Sequence, residues 1–560
     1  MSAAPVGPPE PQVVPIPAHF PVTWDAPEEE RLPWQMDPMH FPDAQSRLEG
    51  ELWCSIYEAG MSPAFASYEM PVRAKGKFIN NFHYMAIFPV VPPEEMEAQG
   101  KKAEEAMGGT IARLKERWEG EWLPEIKEHL NFWESYDLQG ASPQEILAHY
   151  DETLQRLNRL WDLHFQIVVP VYVVMGLFDD LYKDLFEDEG AFSSYLLLGG
   201  FDNKTLEVGR ALWDLSRKAT AADVRSALDK NSGDEVIAAL ESSDAGQVFL
   251  RELRAFLNEY GERGPTWSLS QPSWIEDPMP VVQNLRDYIG QESGDPHVNL
   301  ANQITEREEA LSKVRALLAG YPQQARDQFD FLYGASKTAV VLTEDHNFWI
   351  DFKASYRVRL VLVEAGRRLA VANVLADAND VFYLGVDEVR AALAALPAGD
   401  LKQRVVELKA TLAQHSELQP PFQLGTDYGP PPDSPLSRGF GRFFGTPPEP
   451  SQEEGVLNGH AGSPGKVRGT ARIVRTLAEA EKLERGDILV TVTTAPPWTP
   501  LFSTAGAIVT DTGGILSHCA VVAREYRIPA VVGTGAATRV FRDGQILEVD
   551  GDSGTVSVVE

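Results

Sequence analysis

The segment Ala507 to Gly533, AIVTDTGGILSHCAVVAREYRIPAVVG, carries the strongest chemical signal in the chain. The apolar run Ala507-Ile508-Val509 suits a buried strand, Gly513-Gly514 a loop, and Ser517 the start of a helix reaching Tyr526. His518 then falls in the first helical turn, where unpaired backbone N–H groups and the helix dipole favour a bound anion. The same positive field favours neutral imidazole, the nucleophilic form. Thr512, Gly513, Gly514 and Ser517 are candidates for a phosphate-binding loop, since glycines let backbone approach a ligand without a Cβ. The chemistry is uptake and release of a phosphoryl group on His518. An ordinary strand-to-helix turn capped by Ser517 fits the same residues. Cys519 points about 100° away around the helix, so it reads as a small buried side chain, and no metal site is assigned.

A second constellation is Thr343-Glu344-Asp345-His346-Asn347, which interrupts the apolar face of a long helix expected around Ser336 to Leu375. Thr343, His346, Ile350 and Lys353 share one stripe by i, i+3 and i+4 spacing. A His–carboxylate cluster there suits removal of a proton from a hydroxyl, and a solvated helix face suits the pattern too. Glu344, Asp345, His346 and Lys353 are the candidate acceptor-binding residues. Eleven of the 12 tryptophans precede residue 420, which suits either an apolar, aromatic acceptor or a tryptophan-rich helical core.

The elements that would hold these groups fall into four stretches. Residues 1–33 are proline-rich and acidic and are expected to form an extended arm. Residues 34–415 read as largely helical, with a small hairpin at Met70 to Pro89 whose turns are expected at Lys75-Gly76 and Asn80-Asn81. Ser142-Pro143-Gln144-Glu145 has the pattern of a helix start. Phe165 to Phe178 is too short to span a membrane and reads as a buried core helix or strand. Gly261 to Pro280 breaks the helical run as a loop. Residues 416–454 read as a linker, because nine prolines and five glycines lie between Pro420 and Pro450. Residues 455–560 change to short apolar runs, at 469–474, 487–492, 507–510, 530–532, 546–549 and 555–559, as in a small separate α/β domain. The fold class expected is α+β and multidomain.

At 560 residues, with 43% hydrophobic and 24% charged residues, the chain is long enough for several cores. Its 50 Lys and Arg against 82 Asp and Glu give a net charge of −32, which repels nucleic acid and anionic membranes. Cys54 and Cys519 are the only cysteines, so no disulfide framework is available and a reducing, cytoplasmic setting fits.

Residues 455–560 resemble the swivelling phosphohistidine domain of the phosphoenolpyruvate-utilising enzymes. The resemblance runs through Gly462-Ser463-Pro464-Gly465, Thr494-Ala495-Pro496-Pro497-Trp498, the Gly-Gly-x-x-Ser-His motif and Asp550-Gly551. It implies phosphorylation of His518. Phosphoenolpyruvate synthase and pyruvate phosphate dikinase usually carry a regulatory threonine where this chain has Leu516, so that control is expected to be absent. The ATP-grasp pattern of those enzymes is missing, Arg73-Ala74-Lys75-Gly76-Lys77 reading as a charged hairpin turn. No barrel is expected after the phosphohistidine segment.

The region from Pro33 to about Val389 is similar to the substrate-binding domain of rifampin phosphotransferase and to the matching subunit of phenylphosphate synthase. The similarity is carried by Asp37 to Phe41, Phe256 to Gly264, Pro272 to Pro278 and Asp380 to Leu384. Trp267 stands near where relatives often carry a glutamate. The resemblance implies transfer of the β-phosphoryl of Mg-ATP, bound on a partner ATP-grasp subunit, through His518 to a hydroxyl of a small, aromatic molecule. Alternatives are a phosphoenolpyruvate-dependent transferase with a separate barrel protein, and a phosphocarrier or regulatory protein without catalysis.

Overall fold

The computed structural model describes residues 11–187, 193–264, 266–291, 294–430, 433–446, 448–453 and 455–559. Helices and sheets are mixed, and the chain divides into two compact units. The first comprises Met1–Val169 with Arg357–Ser437, the second Pro170–Tyr356 with Arg438–Glu560.

The first unit holds a five-stranded antiparallel sheet of β1 (Gln12–Val13), β2 (Pro33–Met36), β3 (Val72–Ile79), β4 (Phe82–Pro89) and β5 (Gln423–Asp427), in the order β1-β5-β2-β4-β3. Phe20, Trp34, Tyr84 and Leu424 are fully buried at its core. The β3–β4 turn is at Asn80-Asn81 as expected, both residues at positive φ (48° and 67°), the twist a two-residue hairpin needs. The turn expected at Lys75-Gly76 does not exist. Both residues lie within β3, where a Cβ on Gly76 would sit 2.1 Å from the Cys54 carbonyl oxygen, so the glycine serves close packing. Lys75 and Lys77 each pair with Glu29, at 2.9 and 2.7 Å, which explains the basic run without a nucleotide.

Two further expectations are corrected here. The arm at 1–33 is not simply extended: Gln12–Val13 pairs with β5, Glu29–Arg31 forms a short helical turn and Phe20 is buried, while residues 1–10 lie outside the described residues. The linker at 416–454 contains β5 and a helix, Pro435–Phe444. Composition misled because its prolines sit outside the strand and at the first helical position, where proline is tolerated.

The second unit combines helices with an eight-stranded sheet. Val208, Leu212, Leu253, Trp274, Val281 and Leu285 help form the helical core. The sheet comprises β6 (Val456–Asn458), β7 (His460–Ser463), β8 (Lys466–Ile473), β9 (Ile488–Thr491), β10 (Ala507–Thr510), β11 (Ala530–Val532), β12 (Ile546–Asp550) and β13 (Thr555–Val558). Its order is β6-β13-β12-β8-β9-β10-β11-β7, with the β8-β9-β10-β11 centre parallel. The six expected runs match β8 to β13; the short strands β6 and β7, of three and four residues, were not foreseen.

Helix Pro143–Phe186 begins with the foreseen reciprocal cap, Ser142 N–H donating to Glu145 Oε2 (2.7 Å) and Glu145 N–H to Ser142 Oγ (3.3 Å). It is long and apolar enough to cross a membrane by length and composition, yet 89% of its apolar window is buried inside the protein. The helix expected at Ser336–Leu375 is three consecutive pieces: Gln323–His346, a π-helical stretch Asn347–Ala354, and Ser355–Val371. Such wide turns often occur at functional sites.

Candidate functional site

All residues of the candidate site lie in the second unit. Ser517 caps the helix His518–Tyr526, its hydroxyl accepting from the Ala520 N–H at 3.5 Å. His518 is therefore the first helical residue, and its side chain is 10% exposed. Its Nδ1 lies 3.1 Å from Glu344 Oε2 and 3.4 Å from Oε1. On the other side of the ring Nε2 is 3.5 Å from the Thr499 hydroxyl. A carboxylate at Nδ1 selects the tautomer that keeps the proton there and leaves the lone pair on Nε2. Nε2 is then the ring atom with the available lone pair.

Glu344 is itself 2% exposed and is held by a 2.7 Å hydrogen bond from the Thr205 hydroxyl. Asp345 accepts from the Lys204 N–H at 2.8 Å. Both carboxylates thus meet the first turn of helix Lys204–Lys218, whose dipole favours negative charge. Burial raises the Asp345 pKa to about 6, against the hydrogen bond from Lys204, so near neutrality this carboxyl can exchange a proton.

The other expected acceptor residues separate. His346 is buried and its Nδ1 bonds the Leu342 carbonyl of its own helix. Two residues beyond Glu344, it turns about 200° away and does not meet His518. Lys353 lies 3.7 Å from Glu262 and beside the rings of Phe348 and Trp349. Of the four, only Glu344 contacts His518, and Asp345 adjoins it.

The loop before His518 is built differently from the expected phosphate cradle. The Gly514 N–H donates to Phe443 O and the Leu516 N–H to Arg442 O, each at 2.8 Å. A Cβ on Gly514 would sit 2.3 Å from Arg442 O, so this glycine makes room for a crossing chain segment. Gly513 supplies a φ of +96°. The Thr512 hydroxyl donates to Val492 O at 3.0 Å, fixing the loop rather than facing a ligand. Cys519 is buried, and burial pushes its thiol up to about 12, in keeping with a packing role.

Thr205, Thr499 and the Arg442–Phe443 segment were missed from sequence. Thr205 stands 139 positions from Glu344, and nothing local marks the pair. Nine of the eleven tryptophans before residue 420 are buried, Trp24 and Trp349 being the exceptions, so most serve the core.

Two families match this chain. Residues 483–554 match the mobile domain of the PEP-utilising enzymes, and residues 163–344 match the fourth domain of rifampicin phosphotransferase. The segment holding His518 is thus similar to the mobile domain of the PEP-utilising enzymes, and the segment ending at Glu344 to a domain of the rifampicin phosphotransferases. Among curated proteins, it is 39% identical to chondramide synthase CmdD of Chondromyces crocatus over 559 residues, 98% of this chain and 14% of that protein. It is 31% identical to the uncharacterized phosphotransferase YvkC of Bacillus subtilis, over 90% of this chain and 61% of YvkC. It is 32% identical to the rifampicin phosphotransferase of Streptomyces sviceus, over 71% of this chain and 44% of that enzyme. The chain thus spans less than two thirds of each of these relatives.

Proposed function

We propose that this protein is a phosphotransferase component that carries a phosphoryl group on His518 and delivers it to a hydroxyl of a small molecule. The observation that carries this reading is the His518–Glu344 pair, which frees Nε2 for attack. In the first half-reaction Nε2 attacks the β-phosphorus of Mg-ATP held by an ATP-grasp partner. The N–P bond forms and the bridge between the β-phosphorus and AMP breaks, so AMP leaves; water then attacks the γ-phosphorus, the bridge to the β-phosphorus breaks, and phosphate leaves with the β-phosphoryl retained on Nε2. In the second, the acceptor hydroxyl attacks phosphorus, the N–P electron pair returns to Nε2, and the hydroxyl proton passes to the freed Nε2, the resulting imidazolium being balanced by Glu344 at Nδ1.

The acceptor is apolar and aromatic in this reading, since Trp267, Phe348 and Trp349 stand near Lys353 and Asp351, where Trp267 Nε1 donates to Asp351 at 3.1 Å. Both cysteines are free and buried, which suits a reducing cytoplasm. The test pairs the purified chain with a candidate ATP-grasp subunit and ATP labelled at the β position. Label on His518 with release of AMP supports the reading; label on any other residue, or none, refutes it.

A further inference from the structure

Arg263 follows helix Asp244–Tyr260 and is 2% exposed. Its guanidinium lies against three rings, 5.2 Å from Trp274, 5.4 Å from Phe352 and 5.9 Å from Phe348. Its side chain makes no hydrogen bond or ion pair among the described residues. That is unusual for a guanidinium on a residue this little exposed. Arg307, buried in the same unit, shows the ordinary solution, donating to the carbonyls of Gly199 and Gly200 at 3.0 and 2.9 Å.

The position of this unpaired charge is informative. Phe348 and Phe352 follow Glu344 by one and two turns, so the cage holding Arg263 extends the stripe that begins at the residue touching His518. Lys204 and Lys353 also face the Phe348 ring, at 5.3 and 5.4 Å, but Lys204 pairs with Glu207 at 2.8 Å and Lys353 with Glu262 at 3.7 Å. Burial lowers the Arg263 pKa to about 10, with Glu344 opposing the shift, so it stays cationic at neutral pH. A phosphoryl dianion on His518 adds negative charge to a ring that already contacts the buried Glu344 carboxylate through Nδ1, and a nearby cation offsets it.

We infer that Arg263 is the anion-holding residue of this site and binds the oxygens of a phosphoryl group, borne either by His518 or by the phosphorylated acceptor. The inference rests on the phosphoryl-carrier reading for its role in the reaction cycle. Its anion-binding content is testable without that reading. The rings keep the guanidinium in place while no acceptor occupies it, and the incoming oxygens supply the missing hydrogen bonds.

The experiment titrates the full chain with inorganic phosphate by calorimetry, comparing wild type with R263M and R263K. R263M should weaken phosphate binding about 10- to 100-fold, with R263K in between. R263M should melt no lower than wild type, because it removes an unpaired buried charge; an arginine with only a packing role would lower the melting temperature on removal. If R263M does not fold, R263K decides by the same titration. Equal phosphate affinity in folded R263K and wild type, or no phosphate binding by wild type, overturns the inference. Phosphorylation of His518 with phosphoramidate separates the sources. A phosphoryl group held on His518 should block added phosphate and show a 31P shift that R263K alters, whereas an acceptor-borne group leaves phosphate binding intact. Failure of phosphoramidate to modify His518 would remove the carrier reading, while Arg263-dependent phosphate binding would still be read directly.

Discussion

Glu525 offers a test of how the β6–β13 sheet region is held against the helices of its unit. Its stem is half-exposed, but Oε2 is buried and has no hydrogen-bond partner among the described residues. Leu206, Arg210, Asn299, Leu300 and Gln303 surround it with Tyr526, and the Gln303 amide donates to the Glu525 carbonyl at 2.7 Å. Burial raises its carboxyl pKa from 4.5 to about 7, Arg524 opposing the shift. A raised carboxyl pKa means that the folded state binds a proton the unfolded state has lost. Stability therefore falls as pH rises from the unfolded value of 4.5 toward 7, and the loss is complete above that. At about 1.4 kcal/mol per pKa unit, ionised Glu525 costs about 3 kcal/mol. E525Q keeps the shape and removes the charge. Urea unfolding of both proteins from pH 5 to 8 should show E525Q gaining up to about 3 kcal/mol at pH 8 and almost nothing at pH 5. A difference independent of pH, or a less stable E525Q at pH 8, would show that the carboxyl is already solvated and that this contact is loose.

The remaining predictions concern the site and its loop. H518A should carry no acid-labile phosphate after incubation with donor and should melt like wild type; phosphate on the mutant by intact mass would refute the assignment. E344Q should slow phosphoryl uptake by about 10- to 100-fold without altering the fold, because the amide no longer enforces the Nδ1–H tautomer. Rapid-quench measurement of phosphohistidine formation checks this, and an unchanged rate would sink the positioning role. G514A should destabilise by about 1–3 kcal/mol through the clash with Arg442 O, whereas G100A, at a partly exposed helix position with nothing within 4 Å of the added Cβ, should stabilise by about 0.5–1 kcal/mol in thermal melts.

The sequence made parts of this structure legible where local chemistry decides them. Ala507–Thr510 and Ala530–Val532 are apolar runs bounded by glycine or proline, and both strands form at the expected residues. Ser517 and His518 lie where a cap and a first helical residue were expected, because capping is a rule of adjacent residues. Gly76 was misread because a glycine in a strand and a glycine in a turn look alike until the Cys54 carbonyl is known to approach it. Gln423–Asp427 was hidden by the prolines around it, since its pairing with β1 and β2 spans nearly the whole first unit in sequence. The same separation hid the site's central contact. Glu344 and His518 were each singled out for their own surroundings, yet they stand 174 positions apart, and no local pattern joins them.

The crossing segment at Arg442–Phe443 constrains how the region bearing His518 could move. A flexible tether would let residues 455–560 leave freely, but the loop bearing His518 is bonded to this segment through the Gly514 and Leu516 N–H groups. The segment is in turn fixed to the long helix: Arg442 pairs with Asp179 at 3.1 Å and with Asp180, Arg438 pairs with Asp180 at 3.2 Å, and Phe443 stacks on Tyr172 at 4.3 Å. Asp179 is 1% exposed as a side chain, so an Arg442 pulled away leaves this buried carboxylate to Lys183 at 2.9 Å and the Ser194 hydroxyl at 2.6 Å. Movement of His518 toward a donor therefore breaks one of two sets of contacts. Either the two backbone hydrogen bonds part and the segment stays behind, or the segment travels with the loop and exposes Asp179. The first route is the cheaper by this reckoning, since net backbone bonds are worth about 1 kcal/mol each while removing one partner from a buried ion pair costs up to about 3–5 kcal/mol.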